Sequence, residues 1–459
     1  MTLAALARRL RERELSPVEA VTEALERIER LDPALNAFLS VRAEEALAEA
    51  AGLGGAGWRG PLHGVPVAVK DVIDVAGART TAASRILADS VAEHDATVVA
   101  RLRRAGAVVV GKLNTHEFAF GATTTSPHFG PARNPWDRER ICGGSSGGSG
   151  AAAAARLVPG TLGTDTAGSV RIPACLCGVT GLRPSIGRVP NRGVVPVSWT
   201  FDTVGPIARS AEDCALLLDA IAGHDHADPS TLPAPVPDYV GGLSSGVAGL
   251  RIGVVSHLLE GAVDPRVVAA VEAALGELAA LGARVERVDA GFLRETEVVT
   301  QLVMLPEAAD AHLPWLRTRL ADYGADVRAR LLAGLLLPAT ALVTGQRARR
   351  RILGEARRLF EQHDLLAAPA MPVTAPRIGE EVVSAGAERL PYRLALMPFN
   401  SPWTCLGLPA ASVPCGFVDG LPVGLALAGR RLAEETVLRA AHAFQQVTDW
   451  HELRPPVPV

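Results

Sequence analysis

The sequence predicts an α/β fold in which helices cover both faces of a large sheet, and three observations predict it. Short apolar strands alternate with amphipathic helical stretches at Val65–Lys70, Thr97–Ala105 and Ala107–Val110, and the rhythm returns at Leu250–Val255, Pro265–Leu281 and Ala283–Val288. Hydrophobic residues make up 48% of 459 residues, ample material for the core of a large α/β unit. Chemically distinctive segments are spread from residue 64 to residue 429, which argues for one catalytic domain over 1–459.

Taken in order, Ser16-Pro17-Val18-Glu19 is a capping box with proline at the first helical position, so a helix is expected from about Pro17 to Leu31. A short helix over Ala43–Ala51 leads to the first strand. After residue 200, Glu212–Ala222 reads as a helix and Asp225–Gly246 as a Pro/Gly/Ser-rich connection. Residues 295–362 read as a mostly helical, pocket-forming subregion, followed by a strand at Leu365–Ala368 and a long proline-containing loop at Ala370–Arg389. Strands at Ala410–Val413 and Val423–Ala428 precede a final helix over Ala433–Val447.

Two uncharged runs need testing as membrane spans. Leu394–Val418 carries Pro398, Pro402, Pro409 and Pro414, which predicts buried strands and loops. Leu331–Gln346 contains Pro338 and predicts a buried or pocket-lining helix pair. Met1–Ser16 lacks the apolar core of a secretory signal, so the cytoplasm is expected. A net charge of −3 shows no basic excess and excludes nucleic acid as the expected partner. Six cysteines fit no disulfide framework, and Cys175 and Cys177 have no histidine arranged as a zinc partner. No metal and no cofactor are expected.

The most informative stretch runs from Gly143 to Pro173, GGSSGGSGAAAAARLVPGTLGTDTAGSVRIP. A glycine-serine loop enters an alanine block and ends at a second serine, Ser169. Glycines let such a loop turn sharply and aim N–H groups at an anion while a hydroxyl stays open, which suits acyl transfer. No Gly-Lys-Ser/Thr follows the glycines, which argues against a phosphate loop, and the GxGxxG match at Gly52–Gly57 follows a helix instead of a strand. G-x-S-x-G occurs only inside the glycine run at Gly144–Gly148, and no Ser-His-Asp arrangement stands out among eleven histidines.

These residues closely resemble the amidase signature family, serine hydrolases with a Ser-Ser-Lys triad. The likeness also covers Gly64–Val75 (GVPVAVKDVIDV), Gly111–Gly121 (GKLNTHEFAFG), Cys177–Val189 (CGVTGLRPSIGRV), Gly407–Phe417 and Gly420–Gly429. The resemblance implies a large mixed, mostly parallel sheet. It implies Ser169 as nucleophile, Ser145 as a bridging serine held in a cis peptide, and Lys70 as base. The oxyanion would rest on N–H groups of Thr166, Ala167, Gly168 and Ser169, although many family members have glycine where Ala167 stands. Asp165 and Arg171 would hold this turn in shape, with Gly144 and Ser146 supporting the loop; Ser149 would be structural.

The residues themselves support the assignment of Lys70. Among 46 basic residues only Lys70 and Lys112 are lysine. A guanidinium stays protonated, whereas a buried amine can lose its proton, so a base at position 70 could not be arginine. The bland alternative for Lys70 is a strand-end partner of Asp71 or Asp74, and the two serines weigh against it. Lys112 has no assigned chemical task and reads as structural. His63 and His116 lie near motifs and could support the site from outside.

The expected function is a free-standing amidase cleaving a small or moderately apolar amide, with carbamates (urethanes) and esters within reach of the same chemistry. The expected partners are then a small-molecule amide, with no nucleic acid and no membrane span; a homodimer is compatible with the sequence. The alternative is the glutaminase subunit of a tRNA-dependent amidotransferase. Segment 331–349 is Leu/Ala-rich and lacks the tyrosines associated with that subunit, which favours the free amidase. A glutamine site needs groups for both the α-carboxylate and the α-amine, and Arg347 or Arg349 is the nearest candidate for the carboxylate. Pocket walls are expected from 300–345 and 370–400.

Overall fold

The computed structural model describes residues 1–55 and 57–456. Eleven strands form one mixed sheet. In spatial order they are Phe38–Val41, Val108–Leu113, Pro66–Lys70, Gly160–Asp165, Thr203–Ala208, Thr180–Arg183, Ala410–Val418, Leu421–Gly429, Leu365–Pro369, Arg251–Val255 and Arg284–Val288. The α/β class is as expected. Parallel pairing, however, is confined to two regions, each built around a stretch where the alternating rhythm was legible.

One parallel region joins Pro66–Lys70 to Val108–Leu113 and Gly160–Asp165, the other joins Arg251–Val255 to Arg284–Val288 and Leu365–Pro369. Parallel neighbours need a crossover, and the helices Thr97–Arg104 and Pro265–Ala280 provide it. The strands between these regions pair antiparallel, so the expectation of a mostly parallel sheet fails there. One of these pairings is set by its turn at Asp419-Gly420: both residues have positive φ (52° and 75°), and they close a tight hairpin between Ala410–Val418 and Leu421–Gly429.

The capping box forms as read, with Ser16 Oγ accepting from the Glu19 N–H at 3.2 Å and Glu19 accepting from the Ser16 N–H at 2.8 Å. That helix runs on to Leu35 and ends at Asn36, which takes a left-handed conformation. The loop expected at Ala370–Arg389 contains most of a hairpin, Val382–Ala385 with Glu388–Pro391, turning at Gly386.

Leu394–Val418 departs from expectation. It forms most of the helix Tyr392–Leu406, with Pro398 and Pro402 inside, and then a strand. Each proline removes one N–H from the helical ladder, yet Phe399, Trp403 and Leu406 are buried, and their packing outweighs the loss. Leu331–Gln346 does belong to a helix pair, Ala325–Leu336 and Ala339–Gln362, bent by 92°. Its leucines are less buried than expected, Leu336 being 84% exposed. Among the described residues, no single helix is long and apolar enough to cross a membrane.

Candidate active site

The site is built where two parallel strands end side by side. Lys70 is the last residue of Pro66–Lys70, Asp165 the last of Gly160–Asp165, and the two strands pair with Val69 opposite Leu162. The C-terminal ends of parallel strands are where open α/β sheets place ligands. Ser145 and Ser146 lead into the fully buried helix Gly147–Ala154, whose glycines and alanines allow it to pack closely against the sheet.

Lys70 is fully buried, and its Nζ donates to Ser145 Oγ at 2.6 Å and to Thr164 Oγ1 at 2.8 Å. Burial pushes its pKa down to about 7, opposed by Asp202 and Asp165. The structural alternative fails on geometry: Asp71 pairs with Lys112 at 2.9 Å, and Lys112 also donates to Thr80 Oγ1 at 2.8 Å. One lysine is thereby fixed in an ion pair, and the other faces a serine.

The Gly144–Ser145 peptide is cis. The Ser145 carbonyl accepts from the His116 N–H at 3.0 Å and from Thr124 Oγ1 at 3.1 Å, so His116 supports the loop through its backbone. His63 is remote from this chemistry and stacks on Trp58. Ser146 Oγ bridges the neighbouring strand, donating to Thr164 O and accepting from Thr164 N, both at 3.2 Å, and Ser149 Oγ donates to Leu162 O at 3.3 Å. Ser169 is 7% exposed and its carbonyl accepts from the Ser146 N–H at 3.2 Å. Among the described residues no hydrogen bond joins the Ser145 and Ser169 hydroxyls, so the hydrogen-bond chain runs from Lys70 to Ser145 and stops there. Catalytic hydrogen bonds are often long before substrate binds.

Asp165 organises the turn that carries Ser169. Its carboxylate accepts from the Gly168 N–H at 2.9 Å and the Val170 N–H at 3.2 Å, and from Arg171 and Arg183. Burial alone would raise its pKa, but the two guanidiniums hold it well below the usual carboxylate range. The Gly168 N–H is therefore committed to Asp165 and is unavailable to an oxyanion, which corrects the expected four-donor set. The N–H groups of Ala167 and Ser169 have no partner among the described residues. Ala167 has ordinary φ; the left-handed position is Gly168, at φ 114°, where a Cβ would lie 2.6 Å from Asn400 Oδ1. The methyl at 167 is thus compatible with the turn.

Removing the Asp165 charge leaves two buried guanidiniums unpaired. Asp165→Leu is expected to cost about 3–5 kcal/mol in urea unfolding and to abolish any activity that depends on this turn. Wild-type stability in that variant would contradict the role given to Asp165.

Asp202, unnoticed in the sequence, accepts from Thr166 Oγ1 at 2.5 Å and from the N–H groups of Val197 and Ser198. It ties the loop Val197–Asp202 to the Ser169 turn. The Ser169 hydroxyl opens into a narrow cavity of about 40 Å³. Its walls include Phe120, Met304, Arg330, Arg393 and Met397, which come largely from the segments expected to form the pocket. Arg330 lies 4.8 Å from the Phe120 ring centroid and Arg393 donates to Gln301 Oε1 at 2.9 Å.

Arg349 is elsewhere. It lines a separate cavity of about 700 Å³ with Trp199 and Phe360, and its Nε donates to Cys405 O at 2.7 Å. Neither it nor Arg347 lines the Ser169 cavity, whose arginines are Arg330 and Arg393. Cys175 and Cys177 are buried free thiols, and among the described residues no group of His, Cys, Asp and Glu is arranged to hold a metal ion.

The fold and this serine-lysine arrangement define an amidase-signature enzyme. The sequence matches the Amidase family over residues 19–438, and the chain belongs to that family. It is 42% identical to the A subunit of glutamyl-tRNA(Gln) amidotransferase from Moorella thermoacetica, over 97% of this chain and 96% of the relative. The crystal structure of the corresponding subunit from Thermotoga maritima superposes with a TM-score of 0.85 at 37% identity, covering 100% of this chain and 98% of that one. A protein from a vestigial complex that reveals the evolutionary origins of an s-triazine catabolic enzyme superposes at 0.93 with 38% identity, covering 97% and 98%.

These likenesses overturn the expectation of a free-standing amidase. That expectation took segment 331–349 for the substrate wall, and no residue of the segment lines the Ser169 cavity. The same likenesses overturn the expectation of a small-molecule substrate alone, with no nucleic acid, and the exclusion of nucleic acid rested on net charge. A total of −3 averages over the whole surface and says nothing of local arginine clusters.

Proposed function

We propose that the chain is the glutamine-cleaving subunit of a tRNA-dependent amidotransferase. The observation that carries this reading is the end-to-end likeness, 39–42% identity, to the A subunits of glutamyl-tRNA(Gln) amidotransferases. In this reading neutral Lys70 takes the Ser145 proton, Ser145 takes the Ser169 proton, and Ser169 Oγ attacks the glutamine carboxamide carbon. The developing oxyanion rests on the N–H groups of Ala167 and Ser169, with Thr166 at the turn's start; each such donor contributes about 3–4 kcal/mol. The relay run backwards protonates the leaving nitrogen, which departs as ammonia. Water then opens the acyl-enzyme to glutamate, and the ammonia passes to a partner protein that amidates glutamyl-tRNA.

Arg330 and Arg393 are the groups for the glutamine α-carboxylate. Replacing either by methionine removes charge-assisted hydrogen bonds of about 1.5–3 kcal/mol, so KM for glutamine is expected to rise about 10–100-fold with kcat little changed. An unchanged KM in both variants would remove the arginines from substrate recognition. No acidic side chain lines the cavity among the described residues. Glutaramate, which is glutamine without its α-amine, is therefore expected to be cleaved within about tenfold of glutamine. A much larger deficit would place an ammonium-binding group in the site.

The reading is tested by co-expressing the chain with the partner proteins of a bacterial amidotransferase and supplying glutamyl-tRNA(Gln), glutamine and ATP. Formation of glutaminyl-tRNA that requires this chain supports it. A chain that forms no complex and supports no tRNA amidation overturns it.

A further inference from the structure

The end of the sheet opposite Ser169 carries a cluster that amide chemistry does not use. Strands Gly160–Asp165 and Thr203–Ala208 pair with Ala208 opposite Gly160 and Thr203 opposite Asp165. Residues just before Gly160 and just after Ala208 therefore lie about 17–20 Å from the Asp165 turn. There Arg209 and Arg156 meet Arg27 and Arg30 of helix Pro17–Leu35, together with Arg454, around a cavity of about 370 Å³.

Arg209 is only 6% exposed, and among the described residues neither its Nε nor its Nη2 has a hydrogen-bond partner. The Nε atoms of Arg27 and Arg156 are unpartnered as well. Among the described residues no carboxylate lies within 4.0 Å of any of the five guanidiniums. Among the described residues the one acid lining the cavity, Glu23, is exposed. Asp213, from the core side, and Glu452 both act on Arg209 but from beyond 4.0 Å, and Asp213 Oδ1 accepts instead from the Ala4 N–H at 2.9 Å. Burial, followed by the charges of Arg209 and Arg454, lowers the pKa of Arg156 to about 10. Five like charges converging with four unmade hydrogen bonds are costly, and the cost falls when an anion supplies the acceptors.

The geometry selects the anion. Guanidinium forks match oxyanions, and a tetrahedral phosphate can accept from three forks at once, where a carboxylate offers only two oxygens. We propose that this cavity binds a phosphate group, either a free, compact, multiply charged phosphate or a phosphodiester of an RNA backbone. The unpartnered Arg209 at the buried wall receives it, with Arg27 and Arg156 beside it and Arg30 and Arg454 nearer solvent.

The test is calorimetric titration of the full chain with inorganic pyrophosphate at low salt. One saturable site in the micromolar range is expected, weakening at least about tenfold in Arg209→Gln and Arg156→Gln and weakening with added NaCl. Arg27→Gln provides a milder variant should Arg209→Gln fail to fold. Ser169→Ala protein is expected to bind pyrophosphate as well as wild type, so failure of the amidase reading leaves this one standing. Displacement of pyrophosphate by tRNA assigns the phosphate to RNA, and no displacement assigns it to a free anion. No saturable binding below millimolar pyrophosphate, or affinity unchanged in Arg156→Gln and Arg27→Gln, overturns the proposal.

Discussion

Ser169→Ala protein is expected to release no measurable ammonia from glutamine and to lose all labelling by a fluorophosphonate. Loss of a nucleophilic serine from a working triad costs about 10⁶-fold in kcat, because general-base help has nothing left to activate. Ser145→Ala is expected to keep weak labelling at Ser169, since the nucleophile remains and only its proton path to Lys70 is cut. The difference follows from position: Ser145 contacts Lys70 directly at 2.6 Å, while Ser169 sits on the turn that lines the cavity. Full activity in Ser169→Ala, with label at Ser145, would exchange the two roles.

Lys70→Arg is expected to be nearly as damaging as Lys70→Ala, a loss of at least about 10³-fold. Arginine would keep the charge but cannot accept a proton, and Lys112 already serves Asp71. The pH dependence has a definite sign. Burial lowers the Lys70 pKa to about 7, so the amine is the working base above that value and is blocked by protonation below it. Wild-type kcat/KM should rise through about pH 7 to a plateau, with a single acid-side transition. Lys70→Arg activity close to wild type, or a profile flat across that transition, would show that the lysine is structural.

Lys70, Ser145 and Ser169 were legible chiefly through the resemblance to the amidase signature family, with the flanking glycines and the scarcity of lysine as support from the residues themselves. Asp165 and Arg171 were legible too, being neighbours of Ser169 in the chain. Arg183 and Asp202 were missed, since their contacts with Asp165 and Thr166 arise only when distant segments meet across the sheet. Arg330 and Arg393 were hidden among many arginines. Periodicity gave no handle on Gly160–Asp165, whose GTLGTD run lacks the large β-branched residues of an ordinary buried strand. At Leu394–Val418 the prolines led to an expectation of strands and loops, but burial of Phe399 and Trp403 supplied what local propensity withheld and a helix forms over Tyr392–Leu406. The Asp419-Gly420 pair was a readable hairpin signal that would have predicted the antiparallel pairing beside it.

The most direct test is to trap the acyl-enzyme. The assembled complex is acid-quenched during glutamine turnover, digested and mapped by mass spectrometry. A γ-glutamyl ester on the peptide carrying Ser169, absent from the Ser169→Ala complex, is the predicted result. The same adduct on Ser145 or on a cysteine, or a complex that turns glutamine over with no adduct on the Ser169 peptide, would contradict the account.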